Sequence, residues 1–301
     1  MALLAPATGP QAPEGQEAQP SAEDAPAYLG LRPAGLVPEV FALGLLSLKD
    51  RYEYGCAIPL DGLQIDFGVA GKGRADIRSM QYADGKWSEA VPLLPGATFS
   101  FNDPFLSEQE DRLYFISDAA VSGEGRKQDH DTWYVQRDRD GWSKPIHGGP
   151  DLNTPFEDYF IALTDENTLY FSSNRPSAPG SQEAENFDLY ASALMGDQFS
   201  PPRKLPPARN TEHYEADVFV APGDTYLIFC SVRPEGMGQV DLYISFRKTN
   251  GDWSQAPSLG EQVNPPGHQL CPFVSRDGKY FFYTSDEDVY WVDAKLLESY
   301  R

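Results

Sequence analysis

The chain has 301 residues, of which 41% are hydrophobic and 13% aromatic, so it carries enough apolar material for a folded core. Its formal net charge of −21 argues against a nucleic-acid partner, which needs clustered Lys and Arg, and against an anionic membrane surface. The sequence has no apolar run of 18 residues and only three cysteines, none in a CxxC pair, which argues against a transmembrane helix, a disulfide framework and a zinc site.

The chain begins with a segment of low complexity. Residues 1–26 are rich in Ala, Pro, Gly, Glu and Gln, and they contain no aromatic residue and no Lys or Arg. Such a segment does not bury enough surface to offset its ordering entropy, so residues 1–27 are predicted to form a disordered tail or tether. The first ten residues lack a basic region, and their apolar stretch is too short for a signal peptide. They are compatible with the remnant of a signal peptide.

Residues 28–301 are predicted to form one domain, because from about Tyr52 onward three landmarks recur five times. Each repeat has a short strand ending in a turn, then a second β-rich run, then an Asp that opens a third strand. An aromatic on a fourth strand follows in the first four repeats. The repeats span about residues 52–98, 99–151, 152–207, 208–262 and 263–301. The opening aspartates are Asp76, Asp131, Asp188, Asp241 and Asp288, and the fourth-strand aromatics are Trp87, Trp142, Phe199 and Trp253.

Four strands repeated about every 50 residues predict an all-β, five-bladed β-propeller with four antiparallel strands per blade. The fifth repeat lacks a fourth strand, whereas residues 36–47 precede the first repeat and have strand-like content. We therefore expect residues 36–47 to supply the outer strand of the last blade and to close the ring. The alternative is six blades, with the N-terminal 50 residues as a degenerate blade; only one convincing strand between Tyr28 and Asp50 favours five.

Several segments carry a family resemblance. The string FVSRDGKYFFYTSD, the segment Leu169–Pro176 and the segment Asp241–Gly260 resemble the WD40-like (PD40-type) repeats of TolB-like proteins. The resemblance covers the chain from about Tyr28, but the second and third turns read SEQE and TDEN instead of SPDG. It implies a bacterial, extracytoplasmic and non-enzymatic protein, although fold alone does not give function. If Met1 is the true start, a cytoplasmic location is expected instead.

Features that recur in every blade are expected to be structural, because a unique active site should not appear five times. The repeat aspartates are therefore predicted to bind backbone amides or to pair with Arg175 or Arg233. Residues that differ between blades at the start of the inner strand are more informative, and they predict an acidic rim around the channel mouth that holds a ligand or a cation. The predicted ligand-binding residues are Glu53, Asp103, Glu157, Asp158, His213, Glu215, His268 and Gln269.

The sequence favours a binding or scaffold propeller with a protein or glycan partner at the channel mouth. No nucleophile elbow, P-loop or dinucleotide motif is present, so no catalytic residue is predicted. The alternative is a glycoside hydrolase or polysaccharide lyase that uses mouth carboxylates, with or without a divalent cation. No cofactor is predicted apart from that cation, and the chain is expected to be a monomer.

Overall fold

A computed structural model describes residues 27–122, 125–139, 141–177, 186–196, 198–207 and 209–301. Five antiparallel sheets are arranged around one axis, and each sheet is one blade of a five-bladed β-propeller. This confirms the predicted fold class and the count of five blades. The predicted N-terminal tail lies outside the described residues, apart from Ala27.

The first two blades each contain three long strands and two short outer ones. In each blade the innermost strand pairs with the second, and the second with the third. Blade one consists of β2 (Glu53–Ala57), β3 (Gln64–Gly71), β4 (Arg74–Ala83), β5 (Lys86–Trp87) and β6 (Val91–Pro92). Blade two consists of β7 (Phe101–Leu106), β8 (Arg112–Ala119), β9 (Arg126–Asp138), β10 (Gly141–Trp142) and β11 (Ile146–His147).

The remaining blades follow the same order from the inside outward. Blade three consists of β12 (Asp158–Leu163), β13 (Thr168–Ser173), β14 (Asp188–Met195), β15 (Gln198–Phe199) and β16 (Arg203–Lys204). Blade four consists of β17 (Glu215–Val220), β18 (Tyr226–Ser231) and β19 (Asp241–Phe246), and its outer edge is reduced to single bridges at Trp253 and Ser258. Blade five consists of β20 (Gln269–Val274), β21 (Tyr280–Ser285), β22 (Asp288–Asp293) and the N-terminal strand β1 (Glu39–Val40).

The two ends of the described chain close the ring. Strand β1 pairs antiparallel with β22, and Glu39 lies opposite Trp291. The ring of Phe41 packs 5.1 Å from that of Trp291, which adds a buried aromatic contact to the backbone pairing. The prediction that residues 36–47 complete the last blade is confirmed. The chain then ends in a 3-10 helix, Ala294–Tyr300, which buries Leu296 and Leu297 against blades four and five.

Short helical segments occupy connections and do not enter the blades. They are two further 3-10 turns, Ala27–Gly30 and Pro222–Asp224, and the one-turn helix α1, Gly260–Val263. The hydrophobic core is divided into five clusters, and several of them join residues of neighbouring blades. Burial between blades is the expected result of stacking sheets that cannot cover their own faces.

The connections that lead into the inner strands are held by asparagine side chains. Asn210 accepts a hydrogen bond from the backbone N–H of Leu189 (2.7 Å) and donates to its carbonyl (2.9 Å). Asn264 makes the same pair of bonds with Leu242 at 2.8 and 3.0 Å. Because these amides are buried, the connections are fixed to the third strand of the preceding blade, and the start of each following inner strand is positioned accurately.

The repeat aspartates form local contacts, but not with the predicted arginines. Asp131 pairs with Lys127 at 2.5 Å, and Asp241 accepts a bond from the N–H of Gly238 at 2.8 Å. The expectation of backbone and ion-pair partners is therefore met, whereas the named partners are wrong. Arg175 and Arg233 bind carboxylates of the inner strands instead, because each arginine follows the second strand at the end where the inner strand begins.

Candidate functional site

Each inner strand carries a β-bulge at the same place, and the bulge residue adopts a left-handed backbone conformation. A bulge adds one residue and re-aims a side chain. Here the pairing between the first and second strands shifts in all five blades, beside residues with φ between 47° and 53°. Only one of the five is a glycine, although left-handed φ values disfavour other residues. The five bulge residues are Gly55, Asp103, Phe160, Asp217 and Cys271.

Three of these residues meet at the propeller axis, and we call them the axial triad: Asp103, Asp217 and Cys271. The Cys271 sulphur lies 3.7 Å from Oδ1 of Asp103 and 3.8 Å from Oδ2 of Asp217. The backbone N–H of Cys271 also donates to Oδ2 of Asp217 at 3.0 Å. Both carboxylates are only 8% exposed. Residues more than 50 positions apart in the chain are therefore brought into direct contact by the ring.

Neighbouring blades hold the bulges in place. The backbone N–H of Asp217 donates to Oγ of Ser172 in blade three at 3.1 Å. The N–H of Gly55 donates to Oγ1 of Thr284 in blade five at 3.1 Å. Because both hydroxyls are buried on second strands, each bulge is fixed by the blade beside it.

The two carboxyl groups of the axial triad are hard to ionise together. Burial, and then the charge of Asp217, raise the pKa of Asp103 to about 7. Burial raises the pKa of Asp217 to about 6. Burial and the two carboxylates also hold the pKa of the Cys271 thiol well above its usual range. Near neutral pH the pair therefore retains part of a proton, as expected for adjacent buried acids.

Aromatic side chains surround the triad on the side where the inner strands begin, which we call the mouth. Burial and the charge of Asp103 raise the pKa of Tyr54 and of Tyr159. Burial, Cys230 and Asp217 raise the pKa of Tyr214. Their hydroxyls therefore remain protonated donors at neutral pH.

We call the complete set of mouth rings the collar. Its members meet edge to face or at a tilt: His130 lies 5.0 Å from Tyr159 at 55°, Tyr159 lies 6.1 Å from Phe187 at 78°, and Phe187 lies 5.4 Å from Tyr214 at 57°. These four rings come from blades two, three and four and from the connections before their strands. The collar consists of Tyr52, Tyr54, His130, Tyr159, Phe187 and Tyr214.

One wall of the mouth contains a polar cluster that is formed by Glu157, His130 and Tyr159. Oε2 of Glu157 lies 2.8 Å from Nδ1 of His130 and accepts a bond from the His130 N–H at 3.0 Å. The hydroxyl of Tyr159 lies 3.3 Å from the same Nδ1. Glu157 was a predicted rim residue, whereas His130, on strand β9 of blade two, was not among the predicted residues. The ring brings the two together.

Several other predicted rim residues lie at the start of the inner strands, and they are fully buried instead of facing the mouth. The observed register places Asp158, not Glu157, at the level of the other strand starts, because Asp158 pairs with Ser173 as Glu215 pairs with Ser231. Of the two adjacent predicted residues, Asp158 is therefore the strand start, and Glu157 lies one residue before it. The strand-start residues are Glu53, Phe101, Asp158, Glu215 and Gln269.

The strand-start carboxylates each have an arginine partner. Asp158 binds Nη2 of Arg175 at 2.6 Å and accepts the N–H of Thr154 at 2.7 Å. Glu215 lies 3.6 Å from Nη2 of Arg233. These contacts hold the inner strand to the second strand of the same blade.

The same arrangement recurs at the other two polar strand starts. Glu53 pairs with Arg51, and Gln269 donates to Ser285 at 3.3 Å. These positions are occupied by protein partners, so a ligand would have to displace them to bind there. A ligand-binding role for Glu53, Asp158, Glu215 and Gln269 stays a prediction.

The two predicted histidines lie away from the axial triad. The His213 ring is 30% exposed and its Nε2 lies 3.9 Å from a carboxylate oxygen of Glu212. His268 is exposed and forms a backbone bridge with Val240. Their role in binding likewise stays a prediction. In the part of the chain that the structure describes, no group of three or more His, Cys, Asp or Glu side chains is arranged to hold a metal ion.

Beyond the bulges the axis is narrow and apolar. A cavity of about 20 Å³, room for roughly one water molecule, lies against Asp103, Phe160 and Cys271. It leads towards a wider cavity of about 150 Å³ at the far end of the axis, lined mainly by apolar groups such as Phe219 and Phe273. The polar mouth and the apolar far end are thus separated by the axial triad.

Sequence reasoning found Asp103 but missed Cys271 and the tyrosines of the collar. Cys271 is buried and belongs to no CxxC pair, and its contact with two carboxylates depends on ring closure. The signal that was available is the third position of each inner strand, which reads Gly, Asp, Phe, Asp and Cys in the five repeats. The residue type at this position changes from repeat to repeat although the rest of the repeat is regular, and such a change indicates a side chain that faces the axis.

No family model matches this chain, and no curated protein matches it. Its fold is similar to that of the endo-arabinase from Bacteroides thetaiotaomicron, with 15% identity, a TM-score of 0.55, and coverage of 85% of this chain and 97% of that one. It is also similar to a putative TolB from Agrobacterium tumefaciens, with 13% identity, a TM-score of 0.51, and coverage of 81% and 73%. A prolyl endopeptidase matches with 13% identity and a TM-score of 0.42 over 78% of this chain, which spans only 32% of that enzyme.

These similarities concern the fold alone, because all the identities are low. They place TolB proteins and carbohydrate-active enzymes among the structural neighbours of the chain. None of the helices that the structure describes is both long enough and apolar enough to cross a membrane.

Proposed function

We propose that this chain is a non-catalytic binding propeller whose partner, a protein, docks on the collar at the mouth. The observation that carries the proposal is the contact of the Asp103 and Asp217 carboxylates with one thiol. Because the Cys271 sulphur lies within 3.8 Å of both, the two carboxylates do not face each other across an open cleft. The collar above them presents aromatic side chains, which are enriched at protein interfaces.

The same contact argues against the alternative of a glycoside hydrolase. Such enzymes place a sugar between two carboxyl groups about 5–10 Å apart, one on each side of the bond that is cleaved. Here a side chain of the protein occupies that position, and the adjoining cavity of about 20 Å³ does not accommodate a sugar ring. The similarity to an endo-arabinase supports the fold and no more.

The geometry of the collar favours a protein over a glycan. Its neighbouring rings are inclined at 55° to 78° to each other. They therefore offer edges and pockets of mixed orientation and no flat platform on which a sugar ring would stack. Side chains of a protein partner fit such a surface because they are small and branch in several directions.

Photo-crosslinking at the mouth tests where the partner binds. Phe187 is half-buried in the collar and is replaced by p-benzoylphenylalanine, while the matched control carries the same group at Leu60, which is 69% exposed on a turn at the far end. We expect a specific crosslinked protein in cells with the probe at 187 and none with the probe at 60. Equal labelling from both sites, or none from 187, would contradict a mouth-bound protein.

An activity screen tests the catalytic alternative. The purified protein is incubated with arabinan, xylan and uronate polymers, with and without divalent cations, and released sugars are measured. We expect no turnover. Product formation that is lost in Asp103→Asn would show that the mouth carboxylates are catalytic and that the binding proposal is wrong.

We also propose an extracytoplasmic location, a monomeric state and no metal cofactor. The location is supported by the resemblance of the repeats to TolB-like proteins. Fractionation of cells that express the full-length gene tests the location, and recovery of the protein with cytoplasmic markers would contradict it. Sedimentation and metal analysis of the purified protein test the other two statements.

A further inference from the structure

Most buried carboxylates elsewhere in the described residues are compensated by cations, and the two that are not, Asp66 and Asp241, accept hydrogen bonds from N–H donors: Nε2 of Gln64 at 2.7 and 2.9 Å, and the backbone N–H of Gly238 at 2.8 Å. Among the described residues, seven buried carboxylates form ion pairs with Lys or Arg, as Asp158 does with Arg175 and Asp188 does with Lys204. This is expected, because a buried charge is costly unless it is paired. The seven are Glu53, Asp76, Asp118, Asp131, Asp158, Asp188 and Glu215.

The axial triad departs from this rule. Within the described part of the chain, neither Asp103 nor Asp217 forms an ion pair with Lys or Arg. The carboxylate of Asp103 is more than nine-tenths buried, and its one hydrogen bond among the described residues comes from the Cys271 thiol at 3.7 Å. A thiol is a weak donor, so this strong acceptor is left almost without a partner.

A second unpartnered acceptor lies beside the pair. Oδ1 of Asn102 is buried and has no hydrogen-bond partner among the residues that the structure describes. Asn102 directly precedes Asp103 on the inner strand of blade two and contacts Tyr159 of the collar. Two acceptor groups at the mouth, the Asp103 carboxylate and Oδ1 of Asn102, thus lack a good donor among the described residues, and each such group costs free energy in the unliganded protein.

We propose that the axial pair of Asp103 and Asp217 is the recognition site for a primary ammonium group on an alkyl stem, such as the lysine side chain of the protein partner. This inference rests on the proposed binding function and names the chemistry of the bound group. An ammonium group has three N–H donors and no acceptor, which matches the unpartnered acceptors. Its positive charge replaces the proton that the two carboxylates otherwise share.

The residues that face the pair suit an alkylammonium ligand. Cys271 and Cys230 contact Asp217, and both are neutral thiols because burial raises the pKa of each. Tyr54, Tyr159 and Tyr214 approach from the mouth as neutral hydroxyls.

The walls of the mouth carry the other polar groups near the pair. His130 lies on the Asp103 side, Glu157 binds His130, and Glu287 lies near Tyr52. Aromatic faces attract cations and also cover an alkyl stem. The collar therefore suits the alkyl stem of the ligand, and the axial pair suits its ammonium charge.

The test compares three blocked tripeptides that differ only in the central residue: lysine, its uncharged analogue norleucine, and trimethyllysine. Binding to the full-length protein is measured at pH 7 by ligand-observed NMR. We expect the lysine peptide to bind roughly tenfold or more tightly than the norleucine peptide, as charge-assisted hydrogen bonds would give. Trimethyllysine should bind more weakly than lysine because it has no N–H to donate.

Two double variants separate this site from general attraction to an acidic protein. In Asp103→Asn/Asp217→Asn the lysine preference should disappear; asparagine tolerates the left-handed backbone of both positions, so the variant is expected to fold. Asp61→Asn/Glu261→Gln removes the same charge from exposed positions and should keep the preference. Single variants Asp103→Asn and Asp217→Asn repeat the test if the double variant is unstable.

The outcomes distinguish this inference from the proposed function. Equal binding of lysine and norleucine, tighter binding of trimethyllysine, or a preference that survives in Asp103→Asn/Asp217→Asn would overturn the ammonium site. If the probe at position 187 still crosslinks a protein in cells, the binding function stands without it. If the crosslink also fails, both proposals fall.

Discussion

Two sets of buried carboxylates lie on the inner strands, one at the first position of a strand and one at the third, and they have opposite environments. At the strand starts Asp158 and Glu215 each bind an arginine of their own blade. At the bulges Asp103 and Asp217 face the axis and share a thiol. The strand-start carboxylates therefore hold the fold together, whereas the axial pair has no cationic partner among the described residues, which is the basis for proposing a ligand there.

The largest effect is expected from breaking a strand-start pair. Arg175→Met retains the packing of the side chain against Phe171 and Tyr190 but leaves the buried Asp158 carboxylate without its cation. We expect the free energy of unfolding, measured in urea, to fall by about 3–5 kcal/mol. The matched control is Arg78→Met, whose pair with Asp76 is partly exposed and should contribute less than about 1 kcal/mol. Similar losses of unfolding free energy in the two variants would contradict the claim that the buried strand-start pair stabilises the fold more than the partly exposed pair.

Removing the axial charges should increase the free energy of unfolding, whereas breaking a strand-start pair should decrease it. Asp103→Asn/Asp217→Asn eliminates two buried acids that burial and mutual repulsion destabilise when they are ionised. At pH 8 we expect this variant to be more stable than the wild type by about 2 kcal/mol. The exposed control Asp61→Asn/Glu261→Gln should change stability by less than about 0.5 kcal/mol. An axial variant that is less stable than the wild type would show that the pair supports the fold.

The stability difference between wild type and axial variant should depend on pH. The folded pKa values, about 7 for Asp103 and about 6 for Asp217, lie above the ordinary value of 3.8. The folded state therefore binds more protons than the unfolded state between about pH 4 and pH 7, and the contribution of the pair to stability falls as pH rises through this range. We expect the gain in Asp103→Asn/Asp217→Asn to be smaller at pH 5 than at pH 8 by roughly 1 kcal/mol. A difference independent of pH would mean that the pair is ionised in both states.

The smallest effect on stability is expected from removal of the Cys271 thiol. Cys271→Ala removes a weak donor, but it keeps the backbone N–H that binds Asp217 at 3.0 Å. We therefore expect stability to change by no more than about 1 kcal/mol and the axial pair to retain its raised pKa values, as followed by urea unfolding and carboxyl titration. A much larger loss would assign the thiol a structural role in joining the blades.

The fold was predictable because its signals are local and repeated. Alternating aromatic and β-branched runs with turns every few residues specify strands, and the missing fourth strand of the last repeat specifies closure by residues 36–47. Each of these features depends on a short stretch of chain or on counting repeats.

The site was predictable only in part, because its geometry depends on bulges and on ring closure. Both Glu157 and Asp158 were predicted at the rim, but strand pairing begins at Asp158, and a sequence pattern does not fix which of two adjacent acids is the first paired residue. Burial of the strand-start residues against Arg175 and Arg233 depends on strand pairing that a sequence pattern does not fix. The meeting of Asp103 with Cys271, 168 residues apart, depends on the whole ring.

The measurement that tests the central claim most directly is a titration of the aspartate carboxyl carbons by NMR, with the axial signals identified by their loss in Asp103→Asn and Asp217→Asn. We predict that at least one of these two signals titrates with a midpoint above pH 6, as two buried acids without a cation require. If both midpoints lie below pH 5, the axial pair is compensated within the protein, and the argument for a ligand cation at the mouth is wrong.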